Sequence, residues 1–256
     1  MSLTIASNIL SQKIQLDLEK TTNALAKTTA KLSSGRRIVD PSDDPAGFQV
    51  AGGLERDAKL ATVAISSAND GLSLATITED ALDEISGLLT RMAELAEQSA
   101  NGVVTQTQRS SISLEFLALG SEVDRIAKTT TFNNLNVLSN SSDVTLQIGF
   151  DSTTNSQLTI GAQLGTLESF SLAPGGSDTL SFSVIATTSA ASEAAATTAL
   201  AALSTAIDTV NSRRGSLGAI ESRLSHAIEN LQTKRLEYTT AEGRIRDVDA
   251  AEEIAG

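Results

Sequence analysis

The sequence predicts a mainly α fold: a long antiparallel, coiled-coil-like helical bundle with a small β-hairpin region in the middle of the chain. Apolar residues recur at spacings of three and four along both ends, as they do on one face of a helix. Period-two alternations, typical of strands, occur only between about residues 132 and 188. Aromatic residues are 3% of the chain, so small side chains favour close helix packing over a thick core.

The first segment predicts a helix over residues 4–33. Its stripe has spacings of four and three, which place all members on one helix face. The stripe consists of Ile14, Leu18, Thr21, Leu25, Thr28 and Leu32. Gly35 follows where a left-handed terminating residue is expected, and the turn-forming run 40–45 prevents continuation.

A second helix is predicted over residues 45–100, because Pro45 fits a first turn and Asp43 and Asp44 complement the positive helix end. Unbroken, it would be roughly 80 Å long, which is too long for a small globule. Its apolar stripe slips by one residue, as a coiled-coil seam does to absorb its mismatch with the helical repeat. The two parts are Leu54, Ala58, Ala61, Ile65, Ala68, Leu72 and Ala75, then Leu74, Ile77, Ala81, Ile85, Leu88, Met92 and Leu95.

A third helix is predicted after Asn101-Gly102, and the pattern then changes. The apolar face of this helix comprises Ile112, Phe116, Leu119, Val123 and Ile126. Beyond it, segments 144–148, 157–160 and 180–184 alternate apolar and polar residues and are separated by Gly, Asn, Asp and Pro clusters. They are predicted to be strands and hairpins.

The helical pattern returns with a strict four-three alternation from Leu203 to Leu231. Arg214 and Glu221 occupy seam positions in it, and polar residues in a seam commonly set register or partner choice. The chain is therefore predicted to run outward along its first helices and to run back along the last helix. We expect its two ends to lie together at one pole.

Composition excludes several classes of function. The net charge of −12 and the pI near 4.5 oppose binding to nucleic acid or an anionic membrane surface. No apolar run approaches the roughly 20 residues of a membrane span, and residues 1–30 lack the zones of a cleaved signal peptide. Cysteine is absent, so the sequence is silent on redox compartment.

No residues suggest catalysis, a metal site or a cofactor. His226 is the only histidine and has no nucleophile near it in the pattern, so we expect it at a helix surface or edge. Carboxylates fall at helix starts or on polar faces, without metal-ligand spacing. Gly-rich phosphate loops are absent. The expectation is a protein that is not an enzyme and carries no cofactor.

Six ordered motifs resemble those of bacterial flagellin. The N-terminal ones are LSSGRRI (32–38), DDPAG (43–47), ANDG (68–71), ELAEQSAN (94–101) and FNNLNVL (132–138). RIRDVD (244–249) is similar to the turn before the family's last helix. Because the chain stops at Gly256, where that helix should begin, the resemblance is to a C-terminally shortened flagellin.

The resemblance implies a domain organisation. Residues 1–44 would be the N-terminal inner-tube helix segment, and residues 45–236 a helical rod domain with the β region at about 132–188. Residues 237–256 would start the C-terminal inner-tube segment, with its final helix absent. Variable outer domains have almost no room between residues 140 and 190, so the chain would be a minimal flagellin.

The resemblance also implies a function: a structural subunit that self-assembles into the flagellar filament for swimming. It would be secreted by the flagellar type III export apparatus, with a chaperone and a cap as further partners, into the extracellular filament. Its main partners would be other flagellin copies, with no role for nucleic acid or membrane. Alternatives are a hook–filament junction protein, which the run 40–45 also resembles, and a non-polymerising secreted binding module or adhesin.

Two sets of residues are candidate sites. The open apolar stripe of the first helix predicts self-assembly through Ile14, Leu18, Leu25 and Leu32. The second set matches the region that vertebrate innate immune receptors recognise in some flagellins and comprises Arg91, Leu95, Gln98 and Glu115. This chain departs from that region at Ala93 and Glu97, where recognised flagellins usually carry Arg and an apolar residue.

Overall fold

A computed structural model of the protein describes residues 9–149, 153–174 and 179–251. The helices of these residues are α1 (Ile9–Ser34), α2 (Pro45–Ala100), α3 (Gln106–Thr129) and α4 (Ser189–Arg246), with a short 3-10 turn at Thr154–Ser156. Two antiparallel strand pairs accompany them: β1 (Thr131–Phe132) with β2 (Leu135–Asn136), and β3 (Val144–Gln147) with β4 (Gln157–Ile160). The predicted mainly α fold with a small central β region is confirmed. Residues 4–8 of the predicted first helix lie outside the described residues.

The boundary between α1 and α2 follows the local signals. Gly35 has φ +68°, the left-handed conformation that glycine adopts most readily at a helix end. The carboxylate of Asp43 accepts hydrogen bonds from the Asp40 and Val39 N–H groups, and these bonds lower the pKa of Asp43. Asp44 Oδ1 accepts from Gly47 N at 3.0 Å, which satisfies a donor in the first turn of α2.

The chain forms two compact units. Unit 1 comprises residues 1–63 and 231–256, and unit 2 comprises residues 64–230. The domain boundaries that the resemblance implies, at residues 44 and 236, stay a prediction.

Most of the helical core of unit 2 comes from the predicted helix faces. The buried side chains of α2 include Ile85 and Met92 of the predicted stripe; α3 supplies Ile112, Phe116, Val123 and Ile126; and α4 supplies Leu203, Val210, Leu217 and Leu224. Leu82 and Leu89 of α2 are also buried, although the predicted stripe does not include them. Leu119, on the same predicted face of α3, is half-buried against this core. The four-three spacing therefore identified most of the residues that make contact.

The prediction for Ile77 was wrong. Its side chain is 37% exposed, and Thr78 occupies the buried position at 2% exposure. Thr78 can be buried because its hydroxyl donates to the Leu74 carbonyl oxygen at 2.7 Å, so no polar group is left without a partner. An apolar-only pattern passes over such a threonine.

Both polar seam positions of α4 have partners on α2. Arg214 donates through Nε and Nη2 to Glu79 Oε1 at 3.0 and 2.8 Å. Its Nη1 lies 2.7 Å from Asp83 Oδ1. Glu221 accepts from the Thr76 hydroxyl at 3.3 Å. The seam of unit 2 therefore contains a three-residue charge cluster, in which Arg214 and Glu79 are half-buried and Asp83 is exposed.

The two hairpins differ in their sequence signals. Val144 pairs with Ile160, and Leu146 with Leu158, as the alternation predicted for β3 and β4. The shorter β1–β2 hairpin turns at Asn133 and Asn134, with φ 48° and 63°, a turn that asparagine tolerates better than most residues. Leu146 packs directly over Gly71 of α2, where a Cβ would collide with its side chain.

The predicted strand at residues 180–184 was wrong. Its alternation is real, because Val184 is buried and Leu180 and Phe182 pack against the core. The backbone, however, has no ladder partner among the described residues. Isolated hydrogen bonds hold it instead: Ser181 N donates to Leu172 O at 2.8 Å and Ser99 Oγ to Val184 O at 2.6 Å. Alternate side chains of residues 180–184 are therefore buried because the segment packs against the core, and not because it belongs to a sheet.

Candidate self-assembly surface

Helix α1 has no buried residue along its described length. Ile14 is 60% exposed, and Leu18 and Leu25 are each 66% exposed. Leu32, nearer the loop that follows, is half-buried. The four are spaced by four and seven residues, which aligns them along one face. The structure therefore places the predicted stripe on a single, largely uncovered surface.

Exposed apolar side chains are concentrated in unit 1. Of the fourteen large apolar side chains that the described residues expose, ten lie in this unit. Besides the stripe they include Val50, Val63 and Leu236. Exposed apolar side chains that are grouped in one part of a soluble protein commonly mark an interaction site.

The segments that follow α1 and α4 are joined by main-chain hydrogen bonds. Arg37 N donates to Arg246 O at 2.6 Å, and Val248 N donates to Gly35 O at 3.1 Å. Arg37 Nη2 also donates to Ile245 O at 2.6 Å. Ile38, next to this pairing, is buried. These bonds bring the two end segments of the chain together.

Arg246 organises this part of unit 1 from a largely buried position. Its Nη1 donates to Glu55 at 3.0 Å and to Glu242 at 3.5 Å. The guanidinium carbon also lies 5.6 Å from the centre of the Phe48 ring, within the range of a cation–π contact. Lys59 first, and Arg246 next, lower the pKa of Glu55 by hydrogen bonding to its carboxylate.

Sequence reasoning missed Arg109, the largest fully buried side chain of the described residues. Its Nε donates to Ser99 O at 2.9 Å, and its Nη2 to Asn101 O and Glu193 Oε1, both at 3.0 Å. Its Nη1 donates to Ser189 Oγ at 2.7 Å. One side chain thus joins the end of α2, the start of α3 and the start of α4. No spacing rule indicates which of the two arginines on α3, Arg109 or Arg125, is buried.

The candidate receptor residues are only partly brought together on the surface. Arg91 donates to Glu115 Oε1 from Nε at 2.9 Å and from Nη2 at 2.8 Å, and to Glu94 at 2.9 Å. The hydrogen bonds to Glu94 and then Glu115 raise the pKa of Arg91. Gln98 is exposed. Leu95 is 2% exposed and belongs to the core of unit 2.

The described residues show neither a metal-binding cluster nor a helix that could cross a membrane. His226 is 79% exposed on α4, and its Nδ1 lies 3.6 Å from Glu229. This agrees with the surface position expected for it.

Two family models match the chain. The bacterial flagellin N-terminal helical region matches residues 5–143, and the bacterial flagellin C-terminal helical region matches residues 200–256. Together they cover the described helices α1 to α3 and most of α4.

Curated relatives are flagellins. The chain is 34% identical over 232 residues to a flagellin of Halalkalibacterium halodurans, covering 89% of this chain and 79% of that protein. It is 41% identical over 149 residues to a flagellin of Salmonella muenchen, covering 58% of this chain and 30% of that protein. Polar flagellin C of Vibrio parahaemolyticus is 37% identical over 59% of this chain and 40% of its own length. The chain thus spans most of the first relative and under half of the other two.

Solved structures of flagellar proteins have a fold similar to that of this chain. A crystal structure of Bacillus cereus flagellin has a TM-score of 0.52 at 28% identity, covering 64% of this chain and 86% of that one. A flagellar hook-associated protein from Vibrio parahaemolyticus has a TM-score of 0.64 at 17% identity, covering 80% of this chain and all of that one, and shows a shared fold alone. The chain therefore belongs to the bacterial flagellin family, the structural subunits of the extracellular flagellar filament, and it is not an enzyme.

Proposed function

We propose that the α1 stripe of Ile14, Leu18, Leu25 and Leu32 is a surface through which this filament subunit packs against other copies of itself. The observation that carries the proposal is the exposure of this stripe on a helix without a buried residue. Isolated helices are marginal in water, so a 26-residue helix gains most of its stability from what covers it. Other copies of the chain would supply that cover.

The energy available from covering the stripe is sufficient to drive association. Burying one leucine or isoleucine side chain contributes about 1.5–3 kcal/mol. Two leucines covered at one contact therefore change a dissociation constant by more than about a hundredfold, since each 1.4 kcal/mol is a factor of ten. Repetition along a polymer makes the assembly stiff from individually modest contacts.

Replacing both Leu18 and Leu25 by aspartate is expected to prevent polymerisation. The critical concentration should rise by more than about a hundredfold, because two buried apolar contacts are lost and two charges would have to be desolvated. Sedimentation and electron microscopy of the purified protein under polymerising conditions measure it. Circular dichroism should show that the remaining helices are retained.

A matched control places the same two charges on the opposite face of α1. Asn23 and Ala30 are exposed and lie about half a turn from the stripe. The Asn23→Asp, Ala30→Asp protein should polymerise with a critical concentration within about threefold of the parent if its charges remain in solvent. Equal polymerisation of the two double variants would overturn the role of the stripe.

Electron microscopy of the same preparations also separates the alternative functions. A filament subunit forms long polymers, a hook–filament junction protein forms a ring, and a binding module remains a monomer. Sequence relatives that are flagellins favour the first, whereas the likeness to a hook-associated protein concerns the fold alone.

We infer that the chain also passes through the flagellar export apparatus, with a chaperone and a cap as partners. Support comes from family membership and from α1, whose lack of buried contacts makes it easy to unfold for passage through a narrow channel. Secretion that continued unchanged in cells without the export apparatus would contradict this inference.

We propose further that Arg91, Gln98 and Glu115, positioned by the buried Leu95, form a surface that vertebrate innate immune receptors recognise. Arg91, Gln98 and Glu115 can contact a partner directly, whereas buried Leu95 can act only by positioning α2. Arg91→Ala is expected to weaken binding of a purified receptor ectodomain by about tenfold or more, as loss of a charged interface contact does. Surface plasmon resonance measures it.

Arg125→Ala is the matched control for the receptor experiment. Arg125 is exposed on α3 and paired with Glu122, as Arg91 is exposed and paired with Glu94 and Glu115. Its loss should leave receptor affinity unchanged. A parent protein that shows no detectable binding removes the proposal.

A further inference from the structure

The loop between α2 and α3 contains the only Asn-Gly pair in the sequence, Asn101-Gly102. We propose that Asn101 is a site of spontaneous deamidation, which converts this asparagine to isoaspartate and aspartate in the folded protein. The chemistry needs water alone as co-reactant. It adds one negative charge to each subunit at a fixed position.

The reaction proceeds in two balanced steps. The Gly102 backbone nitrogen attacks the Asn101 side-chain carbonyl carbon and loses its proton, and the side-chain nitrogen leaves as ammonia with that proton. A five-membered succinimide remains. Water then adds to either succinimide carbonyl and one C–N bond breaks, which gives isoaspartate or aspartate. No oxidant or reductant takes part.

The reacting groups are accessible and unencumbered. Asn101 and Gly102 are both exposed. Within the described part of the chain, the Gly102 N–H and the Asn101 side-chain nitrogen have no hydrogen-bond partner. The nucleophile and the leaving group therefore need not break an existing bond. Gly102 also has no Cβ to obstruct ring closure.

The electrophile is already polarised. The Asn101 Oδ1 accepts a hydrogen bond from Val103 N at 3.2 Å. A donor on this oxygen favours the negative charge that it gains when the nucleophile adds. The same hydrogen bond ties the side-chain amide to the main chain of this loop. The hydrogen bond in this loop therefore favours succinimide formation beyond what the Asn-Gly sequence alone provides.

The product would change the environment of the buried Arg109. The Asn101 main-chain oxygen now accepts from Arg109 Nη2 at 3.0 Å and from Val104 N at 3.1 Å. In isoaspartate the chain runs through the former side chain, and this carbonyl carbon becomes a free carboxylate. Arg109 would then face a second carboxylate besides Glu193, so the modification converts a neutral acceptor of a buried cation into a charged one.

Peptide mapping of the folded full chain, incubated at neutral and mildly alkaline pH, tests the proposal. The peptide that contains Asn101 should gain the mass of NH2 replaced by OH, and fragmentation should identify isoaspartate. Asn211-Ser212 is an internal control, because both residues are exposed but lie within α4. The proposal expects modification at Asn101 and at least about tenfold less at Asn211, equivalent to a barrier about 1.4 kcal/mol higher.

Gly102→Ala is the matched variant. A Cβ at this position would lie 3.5 Å from Glu193 Oε1, an ordinary contact, so the fold should be retained. The rate at Asn101 should fall by about tenfold or more. An Asn101 that stays intact in the folded chain but deamidates in urea would overturn the proposal, as would equal rates in the parent and the Gly102→Ala protein.

Discussion

Replacing Arg109 by methionine is expected to lower the free energy of unfolding of unit 2 by about 2–6 kcal/mol, because two main-chain acceptors would each lose a charged hydrogen bond at a cost of about 1–3 kcal/mol. Methionine keeps much of the apolar stem but removes every donor. The main-chain oxygens of Ser99 and Asn101 would lose charged partners where the arginine leaves no room for water, with Arg109 0% exposed. Glu193 would lose its ion pair.

Urea denaturation followed by circular dichroism measures the loss, with Arg125→Met as the control. Arg125 is an exposed arginine on the same helix whose ion pair with Glu122 is of the kind that contributes about 0.2–1 kcal/mol. Limited proteolysis should also cut the Arg109→Met protein faster between α2 and α3, because that loop loses its anchor. Equal midpoints for the two variants would show that the buried network contributes nothing beyond a surface pair.

Replacing Phe116 by alanine is expected to destabilise unit 2 by about 3–5 kcal/mol, through lost burial and the cavity left behind. Phe116 is 0% exposed and lies in the core cluster that all three helices of unit 2 supply. Neighbouring side chains can fill only part of the space that a phenylalanine of this core leaves, so a cavity remains.

Leu114→Ala, two residues away on the same helix, is the control for Phe116. Leu114 is 73% exposed, so its replacement should change stability by no more than about 0.5 kcal/mol. The denaturation midpoint of the Phe116→Ala protein should fall while that of Leu114→Ala stays with the parent. A Phe116→Ala loss under about 1 kcal/mol would mean that α3 is not held by its apolar face.

The helices could be predicted because their information is local and repeated. Pro45 and Asp44 set the start of α2, and a stripe many turns long fixes its type. The seam was also predictable at Arg214 and Glu221, because the alternation placed them at seam positions before their partners on α2 were known.

Features that depend on distant partners could not be predicted. Residues 180–184 alternate as a strand does, but whether a ladder partner lies beside them is decided by the rest of the chain. Arg109 carries the chemistry of a surface residue, and only the meeting of three helix ends makes it a core residue. Arg246 belongs to a recognisable motif, yet its partner Glu55 lies 191 residues away along the chain.

The sequence predicted which helix face the candidate site residues share better than it predicted how exposed each side chain is. The spacing placed Ile14, Leu18 and Leu25 on one face, and the structure shows that face uncovered. For the receptor set, sequence similarity grouped Arg91 with Glu115, and only the apolar stripe of α2, which contains Leu95, separated that buried residue from exposed Gln98. Burial depends on which neighbour each helix face meets.

The cluster of Arg214, Glu79 and Asp83 fixes the register of α4 against α2. Leucine and alanine repeat so regularly that α4 could slide along α2 by one turn, about 5.4 Å, and still find apolar neighbours. Arg214 would then keep only one of Glu79 and Asp83, which stand one turn apart, and would face Ala75 or Gly87 in place of the other. An arginine bound to two carboxylates therefore opposes sliding of α4 along α2, which apolar contacts alone would permit.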